Sequence, residues 1–452
     1  MLIFFILAIV CWIFRPAWLM LLWLISIPIL APILVLHMGI QTTEELEGFL
    51  HLIWGAFQRV FIIIVLYQLV FKKIRLPKGV SVFLIPWALL CIYFIFHHVI
   101  RHFDMVSLYR DVAGACYYFL PILVMMLDKE VRPKLNQIFG VLIIILIVQI
   151  FIIPLNLEGI VVYTMRYQDK IFLQEELGLV SGTFSQSNAL ADFLSIAYLF
   201  ICVDFFARKG LSNKTFFIVS AVMLTLLALT GSKMPIMCSI MALVLCIYFF
   251  NRHMLLPIVG ILVSFLLVVA LSWRNIQKLG EEYRGVDRFV NGMTTFLESK
   301  KGETGEGTTV GISTALINRY FPESPIIGCG YAYKGQDKAY PVNLNLDFGL
   351  TNYEADATLA LYIVEYGIIG IFLFLWYYYS LIGFAVSRAY TKNETVVSVI
   401  VFVFLLAFSI TECGLFYRPN FFYFYMYIFG VQRWKEEQQR LVASCPLVEK
   451  NN

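Results

Sequence analysis

Charge is what this sequence has least of. Charged residues make up 14% of the chain and hydrophobic ones 60%, with a mean hydropathy of +0.80. A soluble globular chain runs about 25% charged and about 45–50% apolar. The composition therefore excludes an ordinary water-soluble enzyme and reads as a polytopic membrane protein. The net charge of +4 includes no basic run long enough for nucleic-acid binding. The nine cysteines form no CxxC pair and no His/Cys ligand spacing, so they read as small hydrophobes. All six histidines precede Met254. No P-loop or GxGxxG stands between a strand and a helix, which argues against a nucleotide site. Met1–Phe14 is apolar but lacks a basic start and a small-residue cleavage site, so a cleaved signal peptide is not expected.

What the chain has is long apolar runs. A helix needs about 20 apolar residues to cross a bilayer. After Arg15-Pro16 the runs are Ala17–Leu36, Phe49–Phe71, Val80–Phe96, Val112–Leu127, Gln137–Leu155, Asn188–Phe206, Phe216–Gly231, Pro235–Phe250, Leu255–Ser272, Leu359–Val386, Val396–Thr411 and Phe421–Val431. They predict an all-α polytopic membrane protein with about twelve spans, or about thirteen if Met1–Phe14 adds one. Lys72–Lys78, Asp128–Lys134, Ala207–Lys214, Arg252, Arg388/Lys392 and Arg433–Arg440 carry the basic residues of alternate loops. The positive-inside rule puts these loops and the C-terminus in the cytoplasm. The opposite side then holds His37–Gly48, His98–Asp111, Asn156–Gln186, Ser232-Lys233, one large loop and Cys413–Asn420. The domain reading is 1–272 for the N-terminal helices, 273–357 for the external loop, 358–432 for the C-terminal helices and 433–452 for the tail.

Several basic residues sit outside against this bias, among them Arg101, Arg110, Lys233 and Arg319. Singly they read equally well as solvated loop charges. As a group they fit an anionic substrate, since arginine pairs with phosphate through two hydrogen bonds. Spans starting at Val112, Asn188, Pro235 and Ala357 would point their N-terminal ends outward, and free N–H groups there suit phosphate. Plain capping by Ser187 and Ser232 is compatible with that. Arg59 lies mid-span and should face the bundle interior with a partner, in a structural pair or against substrate.

The polar run Trp273–Asp356 and the helix expected after it, Ala357–Trp376, organise the rest. Gly302–Ser313 reads as a flexible surface segment. Ser313–Tyr331 reads as a short helix carrying Arg319, a proline-marked turn and a Gly-x-Gly. Asp356 and Glu365 are nine positions apart, which in a continuous helix sets them on opposite faces about 13 Å apart along the axis. They are not a glycosidase pair. Asp356 at the helix mouth is the better general base, with Glu354 second and a plain N-cap as the bland alternative. Glu365, inside the helix, fits a structural role or a partner for an internal arginine. Gly367 and Gly370 would allow a close helix contact.

Four motifs in order resemble the O-antigen polymerase and O-antigen ligase superfamily. They are GTFSQSNALADFL (Gly182–Leu194), LTGSK (Leu229–Lys233), INRYFPESPIIGCGY (Ile317–Tyr331) and DATLALYIVEYGIIG (Asp356–Gly370). Each is weak alone; their order around one outer loop is the signal. Lys233 stands where the family usually has Arg. Asp356 stands where ligases usually have His, which is more like the polymerases.

The resemblance implies a fold similar to the integral membrane glycosyltransferase (GT-C) class in a bacterial inner membrane. It implies transfer of a glycan from undecaprenyl diphosphate to an acceptor hydroxyl at the outer face, without nucleotide, metal or other cofactor. A polymerase is the favoured reading, with a ligase acting on lipid A-core as the alternative. A lipid-linked oligosaccharide flippase is the rival from another class, but the two halves show no internal repeat. Asp356 or Glu354 would be the base. Arg319, Lys233, Arg110 and Arg101 would hold the diphosphate, with Arg59, Asn188 and Glu365 as further candidates. The expected partners are the lipid-linked oligosaccharide, the bilayer and a chain-length regulator.

Overall fold

The computed structural model describes residues 2–38, 43–74, 81–101, 123–157, 182–184, 187–208, 210–230, 232–254, 271–282, 320–330, 358–386 and 392–411, the short pieces 165–167 and 170–172, and the isolated positions 108, 112, 120, 121, 260, 317, 318 and 440. Its helices are α1 (Leu2–Phe14), α2 (Pro16–Ile25), α3 (Ala31–Met38), α4 (Thr43–Leu66), α5 (Ser81–Ile100), α6 (Leu135–Leu157), α7 (Ser187–Val203), α8 (Asn213–Thr230), α9 (Lys233–Phe250), α10 (Trp273–Glu282), α11 (Thr358–Val386) and α12 (Lys392–Thr411). One antiparallel hairpin interrupts the all-α pattern: β1 (Met165–Tyr167) pairs with β2 (Lys170–Phe172), Met165 opposite Phe172. It lies in a stretch expected to be an outer loop.

Four helical stretches are long and apolar enough to cross a membrane: Ser81–Ile100, Lys129–Ile153, Ala189–Ala207 and Asn213–Thr230. A bent pair, Pro16–Ile25 with Pro28–Leu34, would make a fifth. Shorter apolar helices cover Leu2–Phe14, Gly55–Phe71, Met234–Phe250, Tyr362–Tyr377 and Thr395–Phe408. The chain is a multi-pass membrane protein. The stretches Leu255–Ser272 and Phe421–Val431 lie almost wholly outside the described residues.

Two expectations need correction. Ala17–Leu36 is not one straight span: it bends by 51° around a π-helical segment, Ser26–Leu30. Pro28 has no N–H to give the helix, and π segments and prolines are where helices kink. The span expected to end at Phe96 runs on to Ile100, so His97 and His98 belong to α5 rather than to a loop. The hydropathy falls at the two histidines, but neither breaks a helix.

α7 forms the centre, with 89% of Ala189–Ala207 buried inside the protein. It packs on α8 and α9; α9 meets α12, α12 meets α11, and α11 lies most extensively on α5. Ser195 donates to Pro235 O at 2.9 Å, and Ser239 Oγ lies 3.0 Å from Ser195 Oγ. Seven residues further on, Cys202 neighbours Cys246. The equal spacing means that α7 and α9 run parallel, so Asn188 and Lys233 start helices at the same end of the bundle. At the turn Asp128–Lys134, buried Arg132 donates to Met125 O and Met126 O, and Gln68 Nε2 donates to Asp128 Oδ2 at 2.8 Å. A cation there meets the carbonyls that a helix leaves unpaired at its C-terminal end.

Candidate functional site

The most constructed place in the molecule is a break in α11. At Gly367 the backbone leaves helical geometry, with φ 65° and ψ −167°. In an unbroken helix Ile368 N–H would bond Val364 O, and Ile369 N–H would bond Glu365 O. Here they bond Pro325 O at 2.9 Å and Ile326 O at 3.1 Å instead. The two carbonyls are taken in turn by the same loop: Cys329 N–H donates to Val364 O at 2.8 Å and Gly330 N–H to Glu365 O at 3.1 Å. The loop has swapped its own backbone into the helix ladder. Four such bonds contribute roughly 2–6 kcal/mol, at about 0.5–1.5 each. Ile326 and Ile368 are 62% and 53% exposed beside this exchange, as lipid-facing residues are. In apolar surroundings irregular backbone is tolerated only where its polar groups find partners.

The glycines make the close approach possible. A Cβ on Gly367 would lie 2.5 Å from Gly328 N and Ile326 O; one on Gly328 would lie 2.2 Å from Glu365 O. Gly367 therefore does not serve helix–helix contact, as its spacing from Gly370 suggests. It opens the helix to a loop. Gly370 does meet a neighbouring helix: a Cβ there would lie 3.3 Å from Tyr93 Cε1. The third and fourth motifs are thus one interlocked unit. Pro325, Ile326, Gly328 and Gly330 of the one fit Val364, Glu365, Gly367 and Ile368 of the other.

α5 closes the unit from the side. Tyr93, His97 and Arg101, spaced by four, share one face. Tyr93 Oη lies 2.7 Å from Tyr366 O and 3.1 Å from Ile327 O. The His97 ring is 5.0 Å from that of Tyr366. Arg101 is half-buried and its guanidinium donates to Ser324 Oγ. Its buried Nε has no hydrogen-bond partner among the described residues. Cys329 Sγ–H donates to Tyr320 O at 3.1 Å. Burial and then the Glu323 carboxylate push the Cys329 thiol above its ordinary range, against the opposing pull of Arg101.

The first two motifs are built elsewhere in the bundle. Gly182, with φ 58°, and Thr183 are held by Gln149 of α6: Nε2 donates to Thr183 Oγ1 at 2.7 Å and Oε1 accepts from Thr183 N–H at 2.9 Å. Phe184 stacks on Phe193 at 5.3 Å between ring centres. In the second motif Thr230 Oγ1 donates to Leu227 O at 2.7 Å, closing the end of α8 before α9 begins at Lys233. Ser232 is the residue before α9 but makes no side-chain capping bond to it.

Of the residues singled out by sequence, Arg101 and Glu365 meet at the α5–loop–α11 unit, Glu365 with its side chain buried. Asn188 and Lys233 are at the starts of the parallel α7 and α9. Arg59 is corrected: it lies on the exposed side of α4 rather than in the bundle interior. The neighbouring positions Phe57, Val60 and Phe61 fill the buried face of that helix, which leaves Arg59 the outer one. Arg110, Arg319, Glu354 and Asp356 lie outside the described residues. Tyr93, His97, Ser324 and Gln149 were missed. The four-residue spacing of Tyr93, His97 and Arg101 was visible, but a span ended at Phe96 hid it. Among the described residues, no three His, Cys, Asp or Glu side chains group as metal ligands do.

A multi-pass helical membrane protein with a loop-broken helix is the class that the fold and this site define. Residues 218–375, from α8 into α11, match the family model Wzy_C, described as O-Antigen ligase. That stretch, less than half of the chain, is similar to the O-antigen ligase family, in keeping with the four motifs read from the sequence. No curated protein matches the chain.

Proposed function

We propose that the chain is a polysaccharide polymerase for O-antigen or capsule repeat units. It moves the growing glycan from undecaprenyl diphosphate to the next lipid-linked repeat unit at the outer face of the inner membrane. The observation that carries this over the ligase reading is Asp356, an acid two residues before α11, where ligases usually have His. Asp356, or Glu354 behind it, takes the proton of the acceptor hydroxyl. The hydroxyl oxygen then bonds the anomeric carbon, and the bond from that carbon to the diphosphate oxygen breaks. Undecaprenyl diphosphate leaves with the electron pair. Arg101, Arg319, Lys233 and Arg110 stabilise its charge. Arg101 supports this role with a half-buried guanidinium beside an apolar outward surface, which suits a ligand with an anionic head and a lipid tail.

About twelve spans, the division at 272, 357 and 432, a cytoplasmic C-terminus and a chain-length regulator belong to the same proposal. The test is the surface-glycan ladder in a host deleted for this gene. Single repeat units that become a ladder on complementation establish the polymerase. Polymer left on its lipid inside the envelope means a ligase. Single units trapped on the cytoplasmic face mean a flippase. In the polymerase case, Asp356→Asn leaves single units; a normal ladder would remove Asp356 from the base role.

A further inference from the structure

Tyr93 touches both halves of the interlocked unit with one atom. Its hydroxyl reaches Tyr366 O on the helix and Ile327 O on the loop. The residue is 7% exposed, so no bulk water competes for that proton. Both carbonyls flank the exchange: Tyr366 stands directly before Gly367, and Ile327 directly before Gly328. Just past the end of α5, Arg101 holds Ser324 at the start of the same loop. From the loop, Cys329 reaches back to the carbonyl of buried Tyr320, the residue after Arg319. A continuous set of bonds thus joins α11, the loop, Tyr320 and α5, with Tyr93 at its centre.

We infer that Tyr93 is a positioning residue for glycan transfer. Its hydroxyl pins the loop that Arg101 holds at Ser324 to the broken helix α11, so that Arg101, proposed to hold the diphosphate, the loop and the helix keep one arrangement when substrate binds. The assignment rests on the proposed reaction. The pinning itself does not, and the experiment separates the two. Removing the hydroxyl leaves the ring, with its packing against His97 and Tyr366, in place. One buried hydrogen bond contributes about 1 kcal/mol, so its loss frees the loop roughly fivefold more often.

The variant is Tyr93→Phe, in purified full-length protein. The first measurement is the rate at which N-ethylmaleimide modifies Cys329, read by peptide mass spectrometry. The second is polymerisation of a synthetic lipid-diphosphate-linked repeat unit, with kcat and KM measured separately. The third is Tm in detergent. Pinning predicts about fivefold faster Cys329 modification. Positioning predicts a fall in kcat of similar size, with KM within about twofold and Tm nearly unchanged. Unchanged modification overturns the pinning. Faster modification with unchanged kcat overturns the positioning role. A lower Tm with full activity per folded molecule makes Tyr93 structural only and overturns it too. If the wild type itself fails to polymerise, the polymerase reading falls, while the Cys329 measurement still decides the pinning.

Discussion

Replacing Gly367 by alanine tests whether the break in α11 is held open by the loop. The new methyl would lie 2.5 Å from two backbone atoms, Gly328 N and Ile326 O, neither of which can swing away. Alanine is also strained at φ 65° and ψ −167°, a conformation that is essentially glycine's own. The inexpensive escape is for α11 to straighten. Ile368 and Ile369 then return their N–H groups to Val364 and Glu365, regaining two helix bonds. The loop loses four, and Cys329 N, Gly330 N, Pro325 O and Ile326 O are left to find water. At about 0.5–1.5 kcal/mol per bond the net cost is roughly 1–3 kcal/mol.

Cys329, 3% exposed and held between Tyr320 and Val364, reports the release. Its modification by N-ethylmaleimide should rise roughly five- to a hundredfold in Gly367→Ala, about one decade for each 1.4 kcal/mol. Gly328→Ala fills the same gap from the other side and should give a similar rise. The double variant should be no worse than the worse single one, because the loop is released only once; this is non-additivity between touching residues. Gly330→Ala is the control. It too has a positive φ, of 80°, but its Cβ would meet nothing closer than 3.7 Å. It should cost about 1–2 kcal/mol of backbone strain and leave Cys329 protected. Equal protection in Gly367→Ala and wild type would refute the exchanged ladder.

Other outcomes follow from the same contacts. Gln149→Leu removes both bonds to Thr183 in a buried place and should lower stability by roughly 2–4 kcal/mol, read as Tm in detergent. Arg132→Ala leaves the carbonyls of Met125 and Met126 without their cation and should cost about 1.5–3 kcal/mol, lowering the amount of protein in the membrane. The raised Cys329 thiol keeps its proton at pH values where a free cysteine has begun to lose it. Its modification should therefore be slow at neutral pH and go on rising with pH after a free thiol, half ionised at about pH 8.5, has levelled off. Glu323→Gln, which removes a carboxylate that pushes the thiol up, should move that profile towards lower pH.

Hydropathy alone located several of the helices. The ends of α6, α8, α9 and α12 fall within a few residues of their apolar runs, because leaving lipid is what ends a span. It failed where an apolar run hides a break. Ser26–Leu30 and Gly367 look no different from their surroundings on a hydropathy scale, and nothing local marks where Pro28 or a glycine will open a ladder. The motifs were legible as residues but not as a machine. Pro325, Gly328 and Gly330 lie some forty positions from Glu365 and Gly367, and what joins them is mainly the need of each unpaired backbone group for a partner. Periodicity within one helix cannot express a demand that another segment satisfies. For the same reason Arg59, read as an interior charge, lies on the outside of α4: its run specified a helix, and only the packing of Phe57 and Phe61 decided which side faced in.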